Sequence, residues 1–170
     1  MTKLEELVEF HEITQLKYRY VRALDTHDWK LMEQCFTEDA HAWFAGGKQT
    51  ERGRANIVKL LHRLVPSNLV SSHVVMHPEL TLTAPTTATG IWRMQDSVYF
   101  QGPNPAFAHG NIQGGEAMFG AGYYHEEYRK ERDDWKISSI GYVRIFEVIE
   151  RGAIGQGVEL SVEPSRGMRT

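Results

Sequence analysis

The stretch GIWRMQDSVYF, residues 90–100, constrains this chain more than any other. Side chains of opposite character alternate along it, so Trp92, Met94, Asp96, Val98 and Phe100 share one face of an extended strand. An apolar strand face has to be laid against a second layer. The carboxylate of Asp96 sits amid that face, and an unpaired charge there is costly. Either a wet pocket or an ion pair with Arg93 or Arg144 would relieve it.

The rest of the second half is also strand-like. LVSSHVVMHPELTLT is extended and rich in β-branched residues, and APTTATG turns the chain. QGPNPAFAHGNIQGG, dense in Gly, Pro and Asn, predicts a long loop. EAMFGAGYYHEEYRKERDDWKISSIGYVRIFEVIE predicts a strand, a turn near Arg132–Asp134 and another strand. The glycines of GGEAMFGAG fall on a strand rather than before a helix, so they form no phosphate loop.

The first half has a different period. Ile13, Leu16, Tyr20 and Leu24 mark one face of a helix ending near Asp25. A short helix follows at about 28–36 with Asp28 as its N-cap, and TEDAHAWFAGG predicts a turn and then a short strand. GRANIVKLLHRLVP predicts a third helix, with Ile57, Leu60, Leu61 and Leu64 on its apolar face and Pro66 closing it. Helices followed by long antiparallel strands predict an α+β fold, a curved sheet covered by N-terminal helices around a pocket. One domain is expected over residues 1–150. The tail 151–170 has little core-forming power and is expected to pack on the domain or on a neighbouring subunit.

A net charge of -3, with Lys and Arg scattered, gives no electrostatic case for nucleic acid. No apolar run is long enough to span a membrane, and MTKLEELVEF lacks a signal-peptide core. A single cysteine, Cys35, excludes an intrachain disulfide framework and fits a reducing cytoplasm. His73 and His77 lie ~13 Å apart along a strand, too far to chelate one ion, and His125, Glu126 and Glu127 alternate across a strand, so no metal site is expected. His27, His41, His62 and His109 read as surface or loop residues.

The segments ITQLKYRYVRALDTHDWKLMEQCFTEDA, SSHVVMHPEL and YYHEEYRKERDDWKISSI carry a family resemblance. From about Glu12 to Glu147 the chain resembles the SnoaL-like branch of the NTF2-like superfamily, which includes scytalone dehydratase, bile acid 7-alpha-dehydratase and lindane dehydrochlorinase. The resemblance implies a cone-shaped α+β fold and a catalytic pair made of an aspartate at the end of the first helix and a histidine on the first long strand. Asp25 and His73, 48 residues apart, hold those positions. The position of Tyr20 is tyrosine in the bile acid enzyme and lysine in the dehydrochlorinase, and Asp96 matches a pocket aspartate of the former. The dehydrochlorinase carries an arginine five residues after the last-strand tryptophan, where this chain has Ile140. Arg144 shares that strand parity, two pleats further on.

A carboxylate bonded to one imidazole nitrogen fixes the tautomer and raises the basicity of the other. The implied function is a cofactor-independent lyase with Asp25 and His73 as general base and Tyr20 as a further catalytic group. Tyr18, seven residues before Asp25, has better helical phase with it and rivals Tyr20. A flat, largely apolar ring substrate is expected from Trp92, Met94, Phe100, Phe119 and Tyr124, with Asp96 and Arg144 as polar contacts. A ketosteroid-isomerase-like proton shuttle using Asp96 and Tyr20 is the alternative within the fold. A non-catalytic binding or assembly module is the alternative outside it, and such a module needs no histidine facing an aspartate. Apolar residues on the opposite strand faces (Ile91, Tyr99, Ile137, Val143 and Ile145) point to a homo-oligomer, and the resemblance to the lyases of this branch, which tend to be trimers, implies a trimer over a dimer.

Overall fold

The computed structural model describes residues 2–107, 112–152, 154 and 160. The expectation for the tail therefore lies almost wholly outside the described residues, as does that for His109. The chain opens with helix α1 (Lys3–Asp25), started by a capping box in which Thr2 and Glu5 satisfy each other's backbone N–H groups. Helix α2 (Trp29–Gln34) follows, with the Asp28 carboxylate accepting from the Leu31 N–H at 2.9 Å. Strand β1 (Phe36–Phe44), a 3₁₀ turn (Ala45–Gly47) and strand β2 (Gln49–Arg52) lead into helix α3 (Arg54–Leu64). The remainder is four long strands: β3 (Leu69–Ala84), β4 (Thr87–Phe100), β5 (Ala117–Glu131) and β6 (Asp134–Glu150).

These form one six-stranded sheet in the order β2-β1-β6-β5-β4-β3. All neighbours are antiparallel except β1 and β6, which run parallel. The β5–β6 hairpin turns through Arg132 and Asp133, both at positive φ (50° and 74°), as a two-residue type I′ turn requires. On β4 the alternation is strict: Ala88, Gly90, Trp92, Met94, Asp96, Val98 and Phe100 are all buried. They face α1 and α3, whose Ile13, Leu16, Tyr20, Ile57, Leu60 and Leu61 complete the core.

Four sequence expectations change. TEDAHAWFAGG has no initial turn, since β1 starts at Phe36. The turn in APTTATG shrinks to Pro85 and Thr86, because β3 and β4 extend to Ala84 and Thr87. The sheet is not wholly antiparallel, because β1 docks on the far side of β6. Finally, Ile137 does not belong to the outer face. A bulge places Tyr128 opposite Ile137 and Glu127 opposite Ser139, so the parity of β6 slips by one residue and Ile137 turns into the core. Val143 and Ile145 do remain exposed, while Ile91 and Tyr99 are half-buried.

The parallel β1–β6 contact depends on one glycine. Gly141 pairs with Trp43, and a Cβ at position 141 would overlap the indole ring. Gly141→Ala should therefore force the ring or the strand aside and cost about 1–3 kcal/mol, measured by urea unfolding against the unsubstituted protein.

Candidate active site

Asp25 ends α1, where the helix dipole disfavours a carboxylate. Strand β3 resolves the conflict. It is an edge strand of the sheet, and the N–H of His73 points away from its partner β4. Asp25 Oδ2 accepts that N–H at 2.8 Å, while Oδ1 accepts from Ser71 Oγ at 2.7 Å and from His73 Nδ1 at 2.6 Å. A carboxylate only accepts, so the Nδ1 proton is on His73 and Nε2 is the nitrogen turned towards the cavity. Nε2 lies 3.9 Å from Asp96 Oδ2 on the opposite residue of β4.

Asp96 is held by Arg144 of β6, whose two terminal nitrogens donate to its two oxygens, each at 2.6 Å. Burial opposes the charge of Arg144, but the Asp96 carboxylate outweighs it and the guanidinium pKa is raised. Gly120, the β5 residue opposite Asp96, makes room for this pair: a Cβ there would lie 2.8 Å from Asp96 Oδ1 and would collide with the guanidinium.

His73, Asp96 and Arg144 form the polar end of a cavity of about 90 Å³. Ser71, Tyr20, Tyr124 and Tyr142 complete that end, and Leu24, Leu61, Leu69, Met94, Val98 and Met118 line the apolar remainder. Phe44 and Phe107 also border it, and Gln49 Nε2 donates to the Ala106 carbonyl at 3.0 Å, which holds the segment before Phe107 in place. Burial raises the phenol pKa values of Tyr20, Tyr124 and Tyr142, so all three remain protonated donors at neutral pH.

Behind Tyr20 and Tyr124 lies a buried ion pair. Lys17 and Glu126, both shielded from solvent, contact each other directly. Glu126 also accepts from the Tyr128 hydroxyl, which in turn accepts from Trp92 Nε1 at 2.7 Å. Burial lowers the Lys17 pKa, and the Glu126 carboxylate pushes the other way.

The family model described as a SnoaL-like domain matches residues 5–140. The chain belongs to the SnoaL-like family. Its fold is also found in a hexachlorocyclohexane dehydrochlorinase of type 2 (15% identity, TM-score 0.75, covering 95% of this chain and 98% of that one). A protein of Novosphingobium aromaticivorans assigned as a scytalone dehydratase matches with 17% identity and TM-score 0.74 over 86% of this chain and 91% of its own. A type 3 hexachlorocyclohexane dehydrochlorinase from Novosphingobium barchaimii matches with 17% identity and TM-score 0.74 over 96% and 100%. The curved sheet covered by N-terminal helices is thus the NTF2-like cone.

Within this SnoaL-like cone, the sequence-derived site residues divide. Tyr20, His73, Met94, Asp96, Tyr124 and Arg144 border the cavity, and Asp25 stands directly behind His73. Tyr18 does not: it shares the helical phase of Asp25 but is 48% exposed and does not line the cavity. Phe119 has odd parity on β5, opposite to Tyr124, and packs against Tyr99 on the outer face. Trp92 is on the inner face but in the core, bonded to Tyr128. Phe100 lies behind Phe107, in edge contact with it. Ile140 is fully buried in the core, and the arginine at the cavity is Arg144.

Residues that sequence reasoning passed over are Ser71, Met118, Gly120, Lys17 and Glu126. Lys17 carried a signal, because it falls on the same helix face as Ile13, Tyr20 and Leu24. Among the described residues no cluster of His, Cys, Asp or Glu could hold a metal ion. No helix among them is long and apolar enough to cross a membrane.

Gly120→Ala should push Arg144 off Asp96 and alter the polar end of the cavity without touching Asp25 or His73. A folded variant whose crystal structure retained the bidentate Asp96–Arg144 pair would contradict this assignment of Gly120.

Proposed function

We propose that this SnoaL-like protein is a cofactor-independent lyase with His73 as its general base. The observation that carries the proposal is the 2.6 Å contact between Asp25 and His73 Nδ1, which leaves Nε2 turned to the cavity. An imidazole oriented in this way accepts a proton at Nε2, and Asp25 stabilises the imidazolium that forms. The proton comes from a carbon made acidic by a neighbouring carbonyl or aromatic system. The electron pair it leaves moves into the new double bond, and a small group departs with its own bonding pair, as a halide or as a hydroxide that takes the proton back from His73 and leaves as water. Tyr20 and the Asp96–Arg144 pair are placed to hold the oxygen or the leaving group. The dehydrochlorinase and dehydratase descriptions of the structural relatives agree with an elimination.

The isomerase alternative calls for an aspartic acid that donates a hydrogen bond. Both oxygens of Asp96 instead accept from Arg144, which favours elimination over that arrangement. A non-catalytic binding module would make no use of an imidazole whose free Nε2 is turned to the cavity. A mostly apolar wall suits a flat substrate with one polar edge. At about 90 Å³ the cavity is smaller than the roughly 150 Å³ that holds benzene in an engineered protein cavity, so a ring held here extends towards the opening.

The first test is a screen of ring hydroxy-ketones and aromatic diols for elimination. On the substrate so found, His73→Ala should lower turnover by ~10²–10⁴ while the protein stays folded. Tyr20→Phe should lower it less. Near-full activity in folded His73→Ala would remove His73 as the base.

We propose further that the domain assembles as a homotrimer through its outer face. Val143, Ile145, Phe146 and Val148 of β6 are each about half exposed, with Tyr123 beside them on β5. An apolar patch of this kind on a free monomer favours aggregation, and closed symmetric assembly covers it. Sedimentation equilibrium should give the mass of three chains. A two-chain mass would overturn the trimer.

A further inference from the structure

The Lys17–Glu126 pair has no part in the elimination described above, yet it is an expensive feature. Both side chains are withdrawn from water, and a buried pair of this kind is often no more stabilising than apolar residues of similar volume. Its position suggests what it does. Lys17 Nζ lies 3.4 Å from the ring centre of Tyr124 and 4.6 Å from that of Tyr20, the two phenols at the polar end of the cavity. The rings meet edge to face, with centres 6.2 Å apart. The ammonium is therefore on the far side of both rings from the cavity.

A cation against the face of a phenol draws electron density from the ring, and a desolvated contact strengthens that pull. The hydroxyl becomes a stronger donor, and negative charge near its oxygen is stabilised where Lys17, against both rings, outweighs the opposing charge of Glu126. Arg144 is the cavity's direct cation, but both of its terminal nitrogens are taken by Asp96.

We propose that Lys17 is a positioning residue of the cavity, whose buried ammonium polarises Tyr20 and Tyr124 into an oxyanion site for an enolate or phenolate oxygen. This rests on the reading of the cavity as one that removes a proton beside a carbonyl or aromatic ring. Glu126 opposes the loss of a proton from Lys17 that burial favours, and Tyr128 and Trp92 hold Glu126 in place.

The experiment uses 4-nitrophenol, whose absorbance separates phenol from phenolate, titrated into the full-length protein at a series of pH values. The unsubstituted protein should bind the phenolate in preference to the phenol. Lys17→Met/Glu126→Gln removes both charges together, so it leaves no lone buried ion. It should lower that preference about tenfold, with a circular dichroism spectrum and melting curve like those of the parent. Tyr124→Phe should reduce the preference in the parent and have little effect in the double variant, a coupling that loss of packing alone would not produce. Lys17→Arg, which keeps the charge, should retain most of the preference and serves as the comparison if the double variant does not fold.

Equal preference in the parent and the double variant would overturn the proposal. So would additive effects of Tyr124→Phe, a parent that does not favour the phenolate, or Lys17→Arg losing the preference altogether. The phenolate preference is read without turnover and the loss of turnover in His73→Ala is read without 4-nitrophenol, so failure of the oxyanion site and failure of the general-base assignment are told apart.

Discussion

Three hydrogen bonds from β3 to the carboxylate at the end of α1 are the constraint on which the site depends. The helix dipole disfavours a negative charge at that end by ~0.3–1 kcal/mol. Hydrogen bonds to a charged group contribute ~1.5–3 kcal/mol each, so the donors from Ser71 and His73 outweigh the dipole. The same bonds fix where α1 sits against the edge of the sheet. They also orient the imidazole, and they put Tyr20, about one and a half turns earlier on the helix, over the cavity. Helix docking and imidazole orientation are one set of contacts.

Polar groups inside the cone are arranged in two tiers. The upper tier, His73, Asp96 and Arg144, borders the cavity and is backed by Asp25. The lower tier, Lys17, Glu126, Tyr128 and Trp92, is sealed beneath it. The rings of Tyr20 and Tyr124 separate the two. Each charged side chain in both tiers has a partner, as the cost of burying an unpaired charge demands. Glycine matters at two points for steric reasons. Gly120 leaves the volume that the Asp96–Arg144 pair occupies, and Gly141 leaves the volume that Trp43 occupies where β1 joins β6.

Much of the cone was legible in the residue order. The switch from a helical period around Ile13, Leu16, Tyr20 and Leu24 to the two-residue period of β4 marks the two layers, and each period follows from local backbone geometry. Asp28 as a cap and Arg132–Asp133 as a turn were equally local. Sequence and structure part where an element's phase is reset by its neighbours. The sequence parity of Ile137 is that of the outer face, and the bulge opposite Tyr128, a property of strand pairing, turns it inward. Phe119 and Tyr124 are five residues apart on one strand, so parity alone puts them on opposite faces.

The amino-acid order by itself determined the layers, the inward face of β4 and the presence of one carboxylate amid apolar neighbours, because these follow from the helical and extended periods. The family resemblance added the pairing of Asp25 with His73, which no local rule supplies across 48 residues. Only the tertiary structure decided that Tyr20 and not Tyr18 borders the cavity, that Asp96 is held by Arg144, and that Lys17 is buried under two phenols. The reason is physical. Helix rotation, strand register and bulges are set by contacts between elements, and a shift of one residue in any of them exchanges the inner face for the outer.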